Sequence, residues 1–271
     1  MYPAKGSPRP ERGAHAPPRS VEIDLSGGIA ITVETVDRLQ PGGFSLLQAR
    51  NGYRYSLDPV LLVGFVGPAR ARRVLDLGTG AGVIPLLLSA DDSVAEVVGL
   101  ELQHGLAERA RRNVELNGLA DRLRIVEGDL RRIRDLFPVE SFDMVISNPP
   151  YRRPESGRIA PQDERAAARH ELAGGLVDFL AAASYLLCNG GRFAVIYLAE
   201  RLAELLDGMR AFRLEPKRLR CVHSRAGEAA RLVLVEGRKC GGPGMVVEPP
   251  LYVYRSAGRD YSDEILAFYG R

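Results

Sequence analysis

The sequence has 271 residues, of which 45% are hydrophobic and 26% charged, a composition typical of a globular protein large enough to bury a core. The net charge of +3 at pH 7 is too small to indicate nucleic-acid binding by itself, although residues 1–20, 151–170 and 212–239 each carry a basic surplus. Three cysteines without C-x-x-C spacing and the lack of a long apolar run or signal peptide argue against a disulfide framework, a metal site and membrane insertion, so a cytoplasmic protein is expected.

The amino-terminal region divides into two parts. Residues 1–20 contain five prolines and almost no large apolar residue, so burial cannot offset the entropy of ordering, and a disordered basic tail is predicted. From Val21 to Gln48, apolar and polar residues alternate around SGG and PGG, which predicts short strands or a hairpin. We therefore expect residues 21–66 to form amino-terminal strands and a helix, followed by a main domain over residues 67–271.

From Arg73 onward, short β-branched runs alternate with longer helical patterns. In chain order they are RVLDLG, a helix from about Val83, EVVGLE, a helix from Gln103 to Asn117, RLRIVEGD, FDMVISN, a helix near Glu171 to Cys188, and RFAVIYL. This alternation predicts a doubly wound α/β fold with a mostly parallel sheet. Lys217 to Ser224 and Arg231 to Lys239 lack a helix between them, which predicts an antiparallel carboxyl-terminal hairpin at the sheet edge.

A glycine-rich loop, DLGTGAG, runs from Asp76 to Gly82 between the first predicted strand and the next helix. A doubly wound sheet binds its ligand at that place. Gly78, Gly80 and Gly82 permit a tight turn and a close approach of the backbone to a ligand. The alternative is a turn whose glycines only pack the helix against the strand.

Two acids follow the next predicted strands. Glu101 ends the second, and Asp129, in VEGDL, ends the third. An acid after the second strand commonly binds the ribose hydroxyls of an adenosine ligand, whereas a solvated strand end or a helix N-cap is the alternative for each acid. Glycines at alternate positions and the lack of a Walker lysine disfavour a nicotinamide dinucleotide or ATP. An S-adenosyl sulfonium has no phosphate, and Asp76 would attract its cationic part.

The fourth strand is predicted to end at Ser147, and Asn148, Pro149, Pro150 and Tyr151 follow it. The prolines stiffen the segment and donate no N–H, which leaves the Asn148 side-chain oxygen and the Pro149 carbonyl as acceptors and Tyr151 as a stacking surface. Such a site suits a planar substrate with a conjugated NH2 group, whose nitrogen becomes nucleophilic when both hydrogens are bound. A strand-ending turn and a polyproline ligand are the alternatives.

In this order, DLGTGAG, Glu101, EGD and NPPY resemble the motifs of class I S-adenosylmethionine-dependent methyltransferases that act on exocyclic or amide nitrogens. Further blocks cover nearly the whole chain beyond the tail and resemble bacterial tRNA adenine-N6 methyltransferases, which modify the adenine 3′ to the anticodon (tRNA position 37) of a valine tRNA. These blocks are QARNGYRYSLDPVLLVGFV, ARHELAGGLVDFLAAASYLLCNGGR, VHSRAGEAARLVLVEGRK and PPLYVY. The resemblance implies a Rossmann-like fold, S-adenosyl-L-methionine as cofactor and tRNA as partner.

The resemblance also implies roles for individual residues. The Tyr53 to Asp58 segment would cap the cofactor, and Arg54, Tyr55 and Asp58 would contact it, although DPVLL also fits an N-capped helix that packs its apolar face. Residues 152–165 resemble a loop that orders on substrate. Phosphates and the target base would be contacted by five residues. They are Arg152, Arg153, Arg158, Arg169 and His170.

Other acceptors remain open at this point. A protein glutamine amide and the N2 amine of a ribosomal RNA guanine pose the same chemical problem as an adenine amine. The helical substrate domain of the glutamine methyltransferases and the target-recognition domain of DNA adenine methyltransferases have no counterpart in the sequence. An RNA-binding module that lost activity is disfavoured because Asn148 and Tyr151 are both present.

Overall fold

Apart from one amino-terminal hairpin, the strands lie in a single mixed sheet. A computed structural model describes residues 34–50, 55–67, 71–151, 174–256 and 258–270. The strands are β1 (Glu34–Leu39), β2 (Phe44–Ala49), β3 (Arg73–Leu77), β4 (Glu96–Glu101), β5 (Leu123–Glu127), β6 (Phe142–Ser147), β7 (Leu187–Leu198), β8 (Leu214–His223), β9 (Ala230–Lys239), β10 (Val246–Val247) and β11 (Leu251–Tyr252). The helices are α1 (Asp58–Val66), α2 (Val83–Leu88), α3 (His104–Leu116), α4 (Ile133–Leu136), α5 (Leu176–Leu186), α6 (Leu202–Ala211) and α7 (Asp263–Phe268).

The main sheet has the order β10-β8-β9-β7-β6-β3-β4-β5, with β11 also paired to β8. Strands β5, β4, β3, β6 and β7 are parallel, and β9 is antiparallel to both β7 and β8. Alternate residues of β6 enter two hydrophobic clusters, since Ile146 packs in one and Val145 in the other. The sheet is therefore buried on both faces, as a doubly wound fold requires. The predicted fold class is confirmed.

The amino-terminal hairpin is held by two asparagines of α3. The N–H and carbonyl of Leu47 pair with the side chain of Asn113, at 2.7 and 3.2 Å, and those of Ser45 pair with Asn117, both at 2.8 Å. The two amides thus satisfy alternate residues of β2 as a neighbouring strand would. Asn113 is fully buried and also donates to the carbonyl of Ala81 at 2.9 Å, so the hairpin is tied to the glycine loop.

Helix α1 is buried on most of its surface. Its first turn contains Pro59, which needs no N–H partner there. The predicted helix is present and packs its apolar residues. Its N-cap is Leu57, which makes no side-chain capping hydrogen bond, so the expected side-chain cap is absent. Gly64 lies against the ring of Phe268 in α7, and an added Cβ would come within 2.5 Å of that ring. The short carboxyl-terminal helix therefore packs closely on α1.

Three sequence expectations differ from the structure in detail. The β8–β9 hairpin forms as predicted, but it is not the sheet edge, because the two-residue strands β10 and β11 add to β8. Helix α5 begins at Leu176, and Cys188 already belongs to β7. Helix α6 between β7 and β8 was not predicted. In the described part of the chain, none of the helices is both long and apolar enough to cross a bilayer.

Candidate active site

Three neighbouring strands end side by side and carry the candidate site. In the sheet register, Leu77 of β3 lies opposite Leu100 of β4 and Ser147 of β6. The residues that follow these strands are therefore adjacent at the carboxyl edge of the sheet. They are Gly78 after β3, Glu101 at the end of β4 and Asn148 after β6. The predicted strand ends at Glu101 and Ser147 are confirmed.

The glycine loop adopts the backbone that its sequence predicts. Gly78, Gly80 and Gly82 have φ angles of 76°, 59° and 84°, in the left-handed region that favours glycine. The N–H groups of Gly78 and Thr79 donate to the carbonyl of Leu100 at 2.9 and 3.0 Å, which folds the loop over the end of β4. A Cβ at Gly80 would meet no atom within 4 Å, so the backbone of the loop borders open space.

Glu101 closes the other side of this loop. Its side chain is buried and accepts hydrogen bonds from the N–H of Gly80 at 2.8 Å and of Gln103 at 2.9 Å. Burial raises the pKa of Glu101, and the backbone N–H groups oppose that rise. Each carboxylate oxygen has two lone pairs, so Glu101 retains capacity to accept hydrogen bonds from ligand hydroxyls.

Asp76 and Thr79 are buried polar residues at the end of β3 and in the glycine loop. Both carboxylate oxygens of Asp76 and the hydroxyl of Thr79 lack a hydrogen bond within the described residues. Burial raises the pKa of Asp76 to about 7, the nearby Thr79 side chain opposes the rise, and the charge of Glu101 adds to it. Buried polar groups are normally paired. Unpaired acceptors beneath a glycine loop fit a cationic, hydrogen-bond-donating ligand such as S-adenosylmethionine.

Gly99 explains how Thr79 reaches its buried position. It pairs with Asp76 in the sheet, and an added Cβ would lie 2.8 Å from Thr79 Cγ2. Neither Thr79 nor Gly99 was among the predicted site residues. A glycine in the middle of an apolar strand is a signal of close approach, and it could have indicated this contact.

The NPPY segment forms a compact group with α1. Tyr151 Oη lies 2.8 Å from Asn148 Oδ1 and 3.0 Å from Asp58 Oδ2. The Tyr151 ring packs edge-on against the buried Tyr197, with centroids 6.0 Å apart, and Arg201 donates to the Tyr151 carbonyl at 3.1 Å. Tyr197, near the end of β7, and Arg201, just after it, were not predicted from the sequence, although both contact Tyr151. The structure brings Asn148, Tyr151 and Asp58 together.

The remaining predicted cofactor residues have the following positions. Asp129 lies two residues beyond β5 and is the N-cap of a 3₁₀ turn, Leu130–Arg132. This position matches the helix N-cap that was the alternative to ligand binding for this acid. A hydrogen bond from the Arg131 side chain lowers the pKa of Asp129. The Tyr55 N–H donates to Gln48 Oε1 at 2.9 Å, which links this segment to β2. Arg54 lies outside the described residues.

The five residues proposed to contact RNA also lie outside the described part of the chain. They are Arg152, Arg153, Arg158, Arg169 and His170. Their roles stay predictions, as does the assignment of residues 152–165 to a substrate-ordered loop. Of the residues predicted to bind cofactor, Asp76, Gly78, Gly80, Gly82, Glu101 and Asn148 share one edge of the sheet.

Comparisons with known sequences point to one family. The model of the methyltransferase small domain matches residues 57–201. The tRNA1(Val) (adenine(37)-N6)-methyltransferase of Porphyromonas gingivalis is 33% identical over 201 residues, which cover 72% of this chain and 78% of that protein. The protein of the same name from Aeromonas salmonicida is 32% identical over 230 residues, which cover 82% of this chain and 91% of the relative.

Solved structures agree on the fold. A crystal structure from Agrobacterium tumefaciens, described as a predicted O-methyltransferase, has 26% sequence identity and a TM-score of 0.63 over 79% of this chain and 95% of that chain. The structure of Pyrococcus horikoshii TYW2 in complex with MeSAdo has 14% identity and a TM-score of 0.53, over 79% of this chain and 74% of that chain. The second likeness shows the fold alone.

Proposed function

Since the chain belongs to the methyltransferase small domain family and, within it, to the tRNA1(Val) (adenine(37)-N6)-methyltransferases, we propose that it methylates N6 of adenine 37 in tRNA1(Val), using S-adenosyl-L-methionine. The Rossmann-like class I fold expected from the motifs is confirmed. The protein is thus a methyltransferase, and the identity of its acceptor is the proposal.

The observation that carries this proposal is that two groups of residues lie next to each other at the carboxyl ends of neighbouring strands. The glycine loop, Asp76 and Glu101 lie at the ends of β3 and β4, and Asn148 follows the neighbouring β6. The first group suits the cofactor, because the buried Asp76 carboxylate, which accepts no hydrogen bond from the described residues, fits a cationic ligand. The second suits an amine acceptor. Methyl donor and acceptor would therefore meet across adjacent strand ends.

The bound cofactor supplies an electrophilic methyl group on a sulfonium. Asn148 Oδ1 and the Pro149 carbonyl accept the hydrogens of the target amine, which directs its lone pair toward that methyl group. Pro149 is buried, and the prolines restrict the backbone, so the acceptors are held without reorganisation. The Tyr151 ring would contact the base. Glu101 would bind the ribose, and Arg54, Tyr55, Asp58 and Asp129 would contact other parts of the cofactor.

An anticodon loop suits this site because its bases are unpaired. Rotating a base out of the stack costs a few kcal/mol, and the cost is least where no pair must be broken. The basic segment after Tyr151 would hold the backbone of the RNA. Residues 21–66 would cap the cofactor. The hydrogen bonds of Asn113 to both β2 and the glycine loop support this placement. A tRNA substrate also fits the expected cytoplasmic location.

The test is methylation of total RNA, total protein and purified tRNA1(Val) with labelled cofactor, followed by mass spectrometry of the modified residue. We expect N6-methyladenine at position 37. Asn148→Ala is expected to lower turnover by roughly 100-fold or more with little change in cofactor Kd, because it removes an acceptor used during transfer. Glu101→Ala is expected to weaken cofactor binding instead. Label found only in ribosomal RNA guanine or in protein glutamine would overturn the proposed acceptor.

A further inference from the structure

Three polar groups from two distant parts of the chain meet beside the NPPY segment. Asp58 lies in the first turn of α1, whereas Asn148 and Tyr151 follow β6. The phenol oxygen of Tyr151 stands between the other two, 3.0 Å from Asp58 Oδ2 and 2.8 Å from Asn148 Oδ1. All three side chains are partly buried. Their hydrogen bonds are therefore worth more than those of groups in open water.

The number of available hydrogens limits how these three oxygens can pair. A phenol has one hydrogen, and both a carboxylate and an amide oxygen are acceptors only. If the phenol donates to Asn148 Oδ1, its oxygen faces Asp58 Oδ2 without a hydrogen between them. In addition, the Asn148 amide nitrogen then has no hydrogen bond to any described residue. This arrangement also uses one of the two lone pairs of the amide oxygen that the target amine needs as its acceptor.

A half-turn of the Asn148 amide removes the conflict. The nitrogen and oxygen of an amide have nearly the same shape, so the turn places Nδ2 near the phenol without moving other atoms. Asn148 then donates to Tyr151, and Tyr151 donates to Asp58, so every group has a partner. The Asn148 oxygen, released from the phenol, faces the opposite side of the amide.

We propose that Asp58 is a positioning residue, which holds the Asn148 amide through the Tyr151 hydroxyl so that the amide oxygen is free to accept the target amine. This inference rests on the proposed function for the identity of the amine. It gives Asp58 a role in transfer, distinct from the cofactor contact expected from the family resemblance. It also gives the Tyr151 hydroxyl a role that its ring alone does not have.

We call the hydrogen-bonded series Asn148, Tyr151 and Asp58 the relay, and neighbouring residues hold it in place. The Asp58 N–H is 3.3 Å from Ser56 Oγ, which helps to define the first turn of α1. Arg201 donates to the Tyr151 carbonyl at 3.1 Å, and Tyr197 packs edge-on against the Tyr151 ring. Arg201 is itself paired with Glu204 at 2.6 Å. Backbone and ring of Tyr151 are thus held independently of its hydroxyl, so removing the hydroxyl alone tests the relay.

The direct test observes the Asn148 side-chain amide by ¹⁵N NMR in the full-length protein without substrate. The resonance is assigned by its loss in Asn148→Asp. We expect Tyr151→Phe and Asp58→Ala each to shift the amide protons upfield and to speed their exchange. Tyr151→Phe removes the acceptor of the amide, and Asp58→Ala leaves the phenol without the carboxylate that orients it as that acceptor. Tyr185→Phe is the matched control, since that hydroxyl bonds the Phe137 carbonyl away from the site. An Asn148 amide that is insensitive to both variants would overturn the relay.

The kinetic test is a double-mutant cycle at saturating cofactor and tRNA. Tyr151→Phe and Asp58→Ala are each expected to lower kcat by roughly tenfold, and the double variant should be no slower than the worse single variant, because both remove the same relay. Asp58→Asn keeps an acceptor oxygen and should retain most of kcat. Asp263→Ala, which removes another first-turn carboxylate, should not change it.

Different results would contradict the role of Asp58 and the proposed tRNA substrate. If Asp58→Ala raises only the cofactor Kd and its effect multiplies with that of Tyr151→Phe, Asp58 is a cofactor contact and the relay is wrong. If the wild-type protein does not methylate tRNA while the amide resonance responds as expected, the proposed function is wrong and the relay stands. Circular dichroism of each variant shows whether it folds, and Tyr151→Phe keeps the buried ring.

Discussion

At the scale of single residues, the site contains buried polar side chains that lack a hydrogen bond to any residue in the described ranges. Asp76 is completely buried between two strands, and the side chain of Thr79, in the glycine loop, is also buried. Such groups destabilise the protein unless a ligand pairs with them. The same property makes Asp76 sensitive to pH. Catalytic and binding sites commonly contain residues of this kind.

The first prediction concerns the stability of the cofactor-free protein between pH 4 and pH 8. The pKa of Asp76 rises from 3.8 to about 7 on folding, so the native state binds more protons than the unfolded state within that window. The free energy of unfolding should therefore fall as pH rises, by on the order of 2–4 kcal/mol in total, and level off above pH 7. The raised pKa of Glu101 acts in the same direction.

Urea denaturation at several pH values measures this effect. Asp76→Asn should be more stable than the wild-type protein at pH 8 and show a flatter dependence on pH. Asp92→Asn, at a fully exposed position, should follow the wild-type curve. The lowered pKa of Asp129 affects stability only below its ordinary value near 3.8, outside this window. Parallel curves for Asp76→Asn and the wild type would contradict the assignment.

At the scale of elements, specific close contacts help to position the hairpin and the helices around the site. Two asparagines of α3 replace a neighbouring strand for β2, and Gly64 of α1 leaves room for a ring of α7. Because α1 also carries Asp58, the packing of α7 on α1 affects the geometry beside Tyr151.

A matched pair of glycine substitutions tests this packing. Gly64→Ala places a methyl group within 2.5 Å of the Phe268 ring, so the ring must move, which costs about 1–3 kcal/mol despite the better helix propensity of alanine. Gly105→Ala, in the exposed first turn of α3, meets no atom within 4 Å and should be neutral or stabilising by up to about 1 kcal/mol. Thermal denaturation compares the two variants. Equal melting temperatures would show that α7 does not constrain α1.

At the scale of the whole molecule, a buried charge network joins the antiparallel strands to α1. Glu236 of β9 pairs with Arg192 of β7 at 2.7 Å and with Arg218 of β8 at 3.2 Å. Arg218 also donates to the Phe65 carbonyl at 3.1 Å, at the end of α1, and its guanidinium stacks on the Phe65 ring. One carboxylate therefore links three strands and a helix.

Removing that carboxylate takes a shared anionic partner from Arg192 and Arg218, although Arg218 keeps its pair with Glu248 at 2.7 Å. Glu236→Gln should lower the free energy of unfolding by about 2–4 kcal/mol, less than for a wholly buried pair because both guanidinium groups are partly exposed. Glu96→Gln is the control, since its pair with Arg73 is on the surface and should contribute less than about 1 kcal/mol. Urea denaturation of both variants gives the difference. A similar loss in both would show that burial does not strengthen the Glu236 network.

Much of the fold could be predicted because its signals are local. The runs that form β3, β4 and β6, the helix after Gly82 and the β8–β9 hairpin each depend on periodicity and turn residues within about 15 positions. Strands β10 and β11 have only two residues each, too few for a periodic pattern, so the edge of the sheet was assigned wrongly. Asp129 was placed at a strand end because sequence cannot distinguish that position from an N-cap two residues later.

The sequence by itself determined the strand and helix order of the main sheet, the glycine loop, the acid after β4 and the NPPY segment, because each is written in consecutive residues. Only the tertiary structure decided that Asp76 is buried without a hydrogen bond from the part of the chain that it describes, that Thr79 lies against Gly99, and that Asp58 contacts Tyr151 across 93 positions of sequence. The physical reason is that burial and hydrogen bonding depend on which distant elements pack together, and the chain specifies that only through its complete fold.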